Sequence, residues 1–306
     1  MLEITNLSDN SEKRRTAVVA GIFYPETEAE IRKALQTYRS MQDETEVASD
    51  PLVLIVPHAA WDIAGPLLAR AFNQVKNRSI TQVVLIGPLH EWHEEGVFLS
   101  DSSVFETPLG DISVNLDKVD ELLSCTTALE INDIPHLAEH SLEVLLPWVQ
   151  ITCPGASIVP ILIGAFRTSH IHSLSRALEI SFGEELDKTL FVITTNLSAH
   201  YDDNEAFEQS RLFLELIRER KANDILSFVK SFRISACGAA GVAAFLGCNF
   251  SFSGQHSLKE PLLLGQASAR TDSGMSASGL AKELYGGPYA EPDRSVHYAA
   301  LSIPMP

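Results

Sequence analysis

Val53-Leu-Ile-Val-Pro-His58 is an unbroken apolar run that ends in proline and histidine. A second run, Val83-Val-Leu-Ile-Gly-Pro-Leu-His90, ends the same way, and a third, Phe191-Val-Ile-Thr-Thr-Asn-Leu-Ser-Ala-His200, also reaches a histidine. Short Val/Ile/Leu runs without polar alternation mark strands buried on both faces, as in parallel sheets covered by helices. Outward from these runs the pattern repeats. Strands are expected at Leu52–Val56, Gln82–Ile86, Ser157–Ile163 and Leu190–Thr194, with helical periodicity between and after them at Glu28–Tyr38 (capped by Thr27), Gly65–Val75, Leu116–Leu123, Leu137–Gln150, Ser169–Phe182 and Asn204–Arg218. Ile225–Phe232 and Ala236–Leu246 read as further helices, and Leu262–Ala269 and Val296–Ile303 as closing strands able to pair antiparallel. The fold class is α/β, with a central mixed, mostly parallel sheet flanked by helices on both faces. No repeat or linker interrupts the chain, and the Gly/Pro-rich Tyr285–Pro292 reads as a loop, so residues 1–306 are expected to form one domain.

Composition narrows the function. The 306 residues carry 23 Lys+Arg against 40 Asp+Glu, a formal charge of −17. Such a chain would be repelled by nucleic-acid phosphates and by anionic membrane surfaces. Four scattered cysteines, none in a CxxC pair, point to a reducing compartment, while the polar MLEITNLSDNSEKRR start lacks a signal-peptide core and no apolar run is long enough to span a membrane. A cytoplasmic location is the expectation.

His58, His90 and His200 fall at or beyond strand carboxyl ends, where open α/β sheets bind ligands. Imidazole is both a common ligand of transition metals and a general acid/base near neutral pH. Each ring could instead cap a strand end by bonding loop backbone. A second constellation is His136-Leu-Ala-Glu139-His140, whose spacing would put both rings on one helical face and matches the H-x-x-E-H pattern of zinc peptidases. Pro147, seven residues on, weighs against that reading, and a solvated helix start is the plain alternative. Cys237 opens the small-residue helix Cys237-Gly-Ala-Ala-Gly-Val-Ala-Ala; it is either a buried apolar thiol or a thiolate activated by the helix dipole. Gly238-Ala-Ala-Gly241 follows no strand and is no dinucleotide fingerprint, and no G-x-S-x-G elbow occurs.

Several segments together resemble the Memo family, the B component of the AmmeMemoRadiSam system, which is similar in fold to class III extradiol dioxygenases. They are Ala20-Gly-Ile-Phe-Tyr-Pro25, Pro57-His-Ala-Ala-Trp-Asp-Ile-Ala-Gly65, Gly87-Pro-Leu-His90, Thr107-Pro-Leu-Gly110, Glu139-His-Ser-Leu-Glu143 with Leu146-Pro147, Thr194-Thr-Asn-Leu-Ser-Ala-His-Tyr201 and Ala236-Cys-Gly238. The resemblance implies a metal site of His58, His90 and Cys237, with His200 and His140 as catalytic groups in the same pocket and Asn196, Glu139, Asp62 and Trp61 lining it. It implies one divalent or redox ion, iron or copper with zinc as a third candidate, and a metal-dependent, dioxygenase-like oxidoreductase. A non-enzymatic adaptor binding metal or peptide is the other reading. The ligand would be a small molecule or peptide, and AMMECR-type and radical SAM proteins would be partners. The chain departs from the family pattern at Asn196, usually Asp; at Ala199, an extra residue before His200; at Trp61 and Asp62 beside His58; and at His297 before Tyr298. The substrate of this chain is therefore expected to differ from that of its relatives.

Overall fold

A computed structural model describes residues 13–42, 50–75, 78–90, 94–252, 258–270 and 294–306. In chain order these form β1 (Arg14–Arg15), α1 (Glu28–Ser40), β2 (Pro51–Val56), α2 (Trp61–Phe72), β3 (Gln82–Pro88), β4 (Val97–Leu99), β5 (Val104–Thr107), β6 (Gly110–Ser113), α3 (Leu116–Cys125) and β7 (Leu129–Ile131). There follow α4 (Ile134–Ala138), a 3-10 turn (Glu143–Leu145), α5 (Leu146–Thr152), β8 (Ser157–Ile163), α6 (Thr168–Phe182), β9 (Thr189–Thr194), β10 (Ser198–His200), α7 (Asp203–Arg218), α8 (Ala222–Lys230), α9 (Ala239–Leu246), β11 (Leu262–Arg270) and β12 (Ser295–Pro304). The Tyr285–Pro292 loop expectation lies outside the described residues.

The main sheet runs β10-β12-β2-β9-β3-β8-β4-β7, with β11 along β12. Its centre is parallel: β2 on β9, β9 on β3, β3 on β8. The flanks are antiparallel, β12 on β2 and β4 on β8. Every residue of β2, β3 and β9 is buried, so both sheet faces are covered, as their apolar runs require. Helices α2 and α5 with α1 cover one face; α7, α8, α9 and α6 pack as a group on the other. A small second sheet, β1-β5-β6, sits beside this body. Among the described residues no helix is long and apolar enough to cross a membrane.

The predicted closing strands do pair antiparallel, Ala267 opposite Tyr298 and Ala269 opposite Val296. Helix α1 is capped as its sequence signals, Thr27 Oγ1 accepting from Glu30 N while donating to Glu30 Oε2. Helix α2 begins at Trp61, earlier than expected, because the Trp61 N–H finds a partner outside the helix, the Phe23 carbonyl at 2.8 Å.

One expected element fails. Leu137–Gln150 is not a single helix: α4 ends at Ala138, Glu139 is extended (φ −74°, ψ 130°), and the chain turns through Glu143–Leu145 before α5 starts. Pro147 belongs to the first turn of α5, where a missing N–H costs nothing, and would have broken a longer helix. The freed carbonyls go to the buried Arg15, whose Nε donates to His136 O (2.9 Å) and whose NH2 donates to Glu139 O (2.8 Å). Arg15 also pairs with Glu143, which in turn accepts from Val18 N, Val19 N and the Tyr24 hydroxyl. This network, out of reach of periodicity, shapes the loop that carries Glu139 and His140.

Candidate metal centre

Parallel register brings the ends of β2, β3 and β9 to one edge, Val56 opposite Thr194 and Ile86 opposite Ile193. His58 leaves β2 there, His90 leaves β3, and Thr194-Thr195-Asn196 leaves β9. The Glu139–His140 loop reaches the same edge because Ser141 Oγ donates to Pro88 O at 2.9 Å. That close approach needs Gly87, since a Cβ on it would lie 2.7 Å from Leu142 Cδ2 and 2.8 Å from Ser141 Oγ.

His58, His90 and His140 converge, each offering a ring nitrogen within 4.8 Å of the others, a group that could hold a metal ion. Ring centroids are 5.1 Å apart for His58 and His90, 5.7 Å for His58 and His140, and 4.8 Å for His90 and His140. The tautomers follow from their partners. Thr194 Oγ1 gives its only proton to Val56 O (2.9 Å), so at 2.8 Å from His58 Nδ1 it can only accept, which leaves the His58 Nε2 lone pair free. His90 Nδ1 donates to Glu139 Oε1 (3.0 Å), so Nε2 is the nitrogen of this ring left to meet a metal ion once its proton is lost. The same oxygen lies 3.3 Å from His140 Nδ1. Glu139 also accepts from His90 N (2.7 Å) and Ser141 N (2.8 Å), so one buried carboxylate orients two rings.

Cys237 stands beside this group, Sγ 3.4 Å from His58 Nε2. Asn196 holds it: the amide oxygen accepts from Cys237 N (3.1 Å) and lies 3.2 Å from Sγ, while Asn196 N donates to Sγ at 3.4 Å. An Asp in that place would set a carboxylate against the sulfur; the neutral amide, whose oxygen accepts from the thiol, opposes thiolate less. Gly238 makes the position attainable, because a Cβ there would lie 2.0 Å from Thr194 O. Gly238→Ala is expected to displace Cys237 and cost about 1–3 kcal/mol, read as a lower urea midpoint together with altered thiol reactivity.

Electrostatics favour a cation. Burial opposes charge on Cys237, but His58 and His90 outweigh it and hold the thiol well below its ordinary pKa. Burial likewise works against ionised Glu139, yet the hydrogen bond and charge of His90 keep it well below the usual carboxylate range. His90 is pushed up to about 10: burial lowers it, and Cys237 and Glu139 prevail. His140 is pulled down to about 3, chiefly by burial. A metal ion bound there would replace the proton of His90 beside two groups, Cys237 and Glu139, that the site favours as anions. That donor set suits a transition metal that accepts nitrogen and sulfur.

Other expected residues lie elsewhere. His136 does not share a face with His140; it is buried, its Nε2 3.2 Å from Phe98 O, and the break at Glu139 removes the H-x-x-E-H geometry. Burial lowers the His136 pKa to about 4, below the value near 6.5 of an unfolded chain. Its contribution to stability is therefore intact above pH 6.5 and fades as pH falls toward 4. Between pH 7 and 4.5 the wild type should lose about 2–3 kcal/mol more than His136→Asn, measured by urea unfolding.

Trp61 packs in the core against Trp148 and Tyr24, its Nε1 donating to Val144 O (2.9 Å). Asp62 is exposed in the first turn of α2, where its charge acts on Tyr38. His200 closes β10; its Nδ1 accepts from Asp202 N at 3.2 Å and its ring neighbours Tyr201, so its contacts are with the turn into α7 and not with the three rings. Two supporting residues went unnoticed in the sequence, Thr194 and Arg15. Thr194 lies in a quoted motif, and only its hydrogen bond identifies its part.

Comparison with known proteins assigns the chain to a family. Residues 15–278 match the family described as Memo-like protein. A MEMO1 family protein of Thermotoga neapolitana is 30% identical over 247 residues, covering 78% of this chain and 89% of that protein. Those of Metallosphaera sedula (27%, covering 87% and 96%) and Methanobrevibacter smithii (28%, covering 73% and 83%) are similar. Among solved structures, an uncharacterized protein of Escherichia coli K12 aligns over 80% of this chain and 98% of its own, with a TM-score of 0.44 and 10% identity. The segments that resembled the family are thus parts of one continuous match, and the chain belongs to the Memo family.

Proposed function

We propose that the protein is a metal-dependent oxidoreductase whose ion is held by His58 Nε2, His90 Nε2 and the Cys237 thiolate, with His140 facing the bound ligand. The observation that carries this reading is the convergence of the three imidazoles beside a thiol whose proton the site disfavours. Iron or copper suits the set, because thiolate and imidazole together favour such ions over magnesium or calcium. A redox-active ion bound there would supply one-electron chemistry and a position for an oxygen-donor ligand.

The protein's own groups do the rest. Thr194 and Glu139 fix the His58 and His90 rings and keep their Nδ1 protons in place, so neither ring can turn its lone pair away. Burial keeps His140 neutral at physiological pH, which suits it to hydrogen-bond to a bound ligand rather than to take its proton. With Glu139 shared between them, His90 and His140 respond to the same carboxylate.

The test is metal content after anaerobic reconstitution with iron or copper. One tightly held ion per chain, and oxygen uptake dependent on it, is the expected result. Stoichiometric metal without turnover of any oxidisable small molecule would favour the adaptor reading. No bound metal at all would remove the proposal.

A further inference from the structure

The face of β12 opposite α7 carries a polar group that the described hydrogen bonds leave unused. In β10 and β12, Ser198 pairs with His297 and Ala199 with Val296. Ser198 points toward α7, its hydroxyl donating to Ala206 O at 2.7 Å and meeting Ser210 Oγ at 2.7 Å. His297, its cross-strand partner, has its ring 6.3 Å from Phe207 of α7. Strand alternation therefore assigns His200 to the α7 side and Ala199, Val296 and Tyr298 to the other. Farther along, Leu301 pairs with Ile55 and Val56 with Thr194, which sets Tyr298 on the same sheet face as Val56 and Thr194, the residue that orients His58.

Tyr298 is 7% exposed, its hydroxyl bonds no described residue, and its oxygen is not sealed in but opens onto solvent-accessible space. A phenol whose ring is buried on the sheet face of Thr194 while its hydroxyl stays open can reach a ligand at that edge. Cys237 lies close enough that its charge acts on the phenol. Across the strand from this region stands Ala199, whose methyl group offers no competing donor.

We propose that the Tyr298 hydroxyl, rather than His200, is the hydrogen-bond donor that receives the anionic oxygen of a small ligand bound at the His58/His90/Cys237 site. A phenol keeps its proton at neutral pH and so can donate to a carboxylate, hydroxamate or phenolate oxygen. Strand alternation turns the His200 imidazole to the α7 side and leaves the opposite face to Tyr298. The inference rests on the metal reading above.

The test uses the cobalt-substituted full chain, with acetohydroxamate as the probe and the cobalt absorption as the readout. Cobalt content should be equal in wild type, Tyr298→Phe and His200→Gln. Tyr298→Phe is expected to weaken acetohydroxamate binding roughly tenfold or more, the worth of a hydrogen bond to a charged group, and His200→Gln to change it less than twofold. Bound cobalt with an unaffected Tyr298→Phe, with the loss in His200→Gln instead, or with no acetohydroxamate binding by the wild type, each overturns this inference alone. Absence of cobalt from the wild type overturns the metal reading and this inference with it.

Discussion

His58→Ala or His90→Ala protein, reconstituted anaerobically, should come through gel filtration without metal, a loss of affinity well beyond the 10- to 100-fold typical of residues that merely orient a ligand. Two other substitutions separate the candidate donor sets. Cys237→Ala should also lose the ion if the thiolate is a ligand, whereas His140→Ala should keep it and lose only reactivity toward the bound small molecule. Equal loading of wild type and Cys237→Ala, with loss in His140→Ala, would assign the ion to the three imidazoles alone. Glu139→Gln belongs between these extremes. Its amide can still accept from one ring, but the carboxylate that both His90 and His140 face is gone, so affinity should fall 10- to 100-fold without vanishing.

The largest effect on stability is expected at Arg15 and Glu143, each 1% exposed. Arg15→Met leaves Glu143 charged in the interior and orphans the carbonyls of His136 and Glu139; Glu143→Leu strands Arg15, two backbone N–H groups and the Tyr24 hydroxyl. Each single change should cost about 3–5 kcal/mol, seen as a markedly lower urea midpoint. An isolated buried pair can often be exchanged for two apolar residues at little cost. This pair should not behave so, because the double variant Arg15→Met/Glu143→Leu still leaves the same backbone groups unsatisfied. Full recovery in the double variant would show that these hydrogen bonds contribute little. Metal affinity should fall along with stability, since Arg15 holds the carbonyl of the residue whose carboxylate orients His90.

The central sheet was legible because β2, β3 and β9 are apolar at nearly every position, and a buried parallel strand has no other way to be written. The convergence of His58 and His90 was legible for the same reason: chain direction alone puts strand carboxyl ends together. Periodicity misled at Leu137–Gln150, where the apolar spacing is real but Pro147 and the Arg15 hydrogen bonds select two short helices. The short strands Val97–Leu99 and Leu129–Ile131 lie below the length at which a pattern can be read. His200 shows the limit most plainly. Proximity in sequence to a motif does not fix which side of a strand a residue takes, and a shift of one position reverses it.

Strand β12 lies between β2 and β11 although almost the whole chain separates it from β2 in sequence. During synthesis, β2 must wait with one edge unpaired until residues 295–304 emerge, long after His58, His90 and Cys237 have been made. The donor cluster can gather first, on the parallel core, and the wall bearing Tyr298 is added last. A nascent chain stalled before residue 295 would thus present donors without their wall, along with an apolar edge inviting another strand.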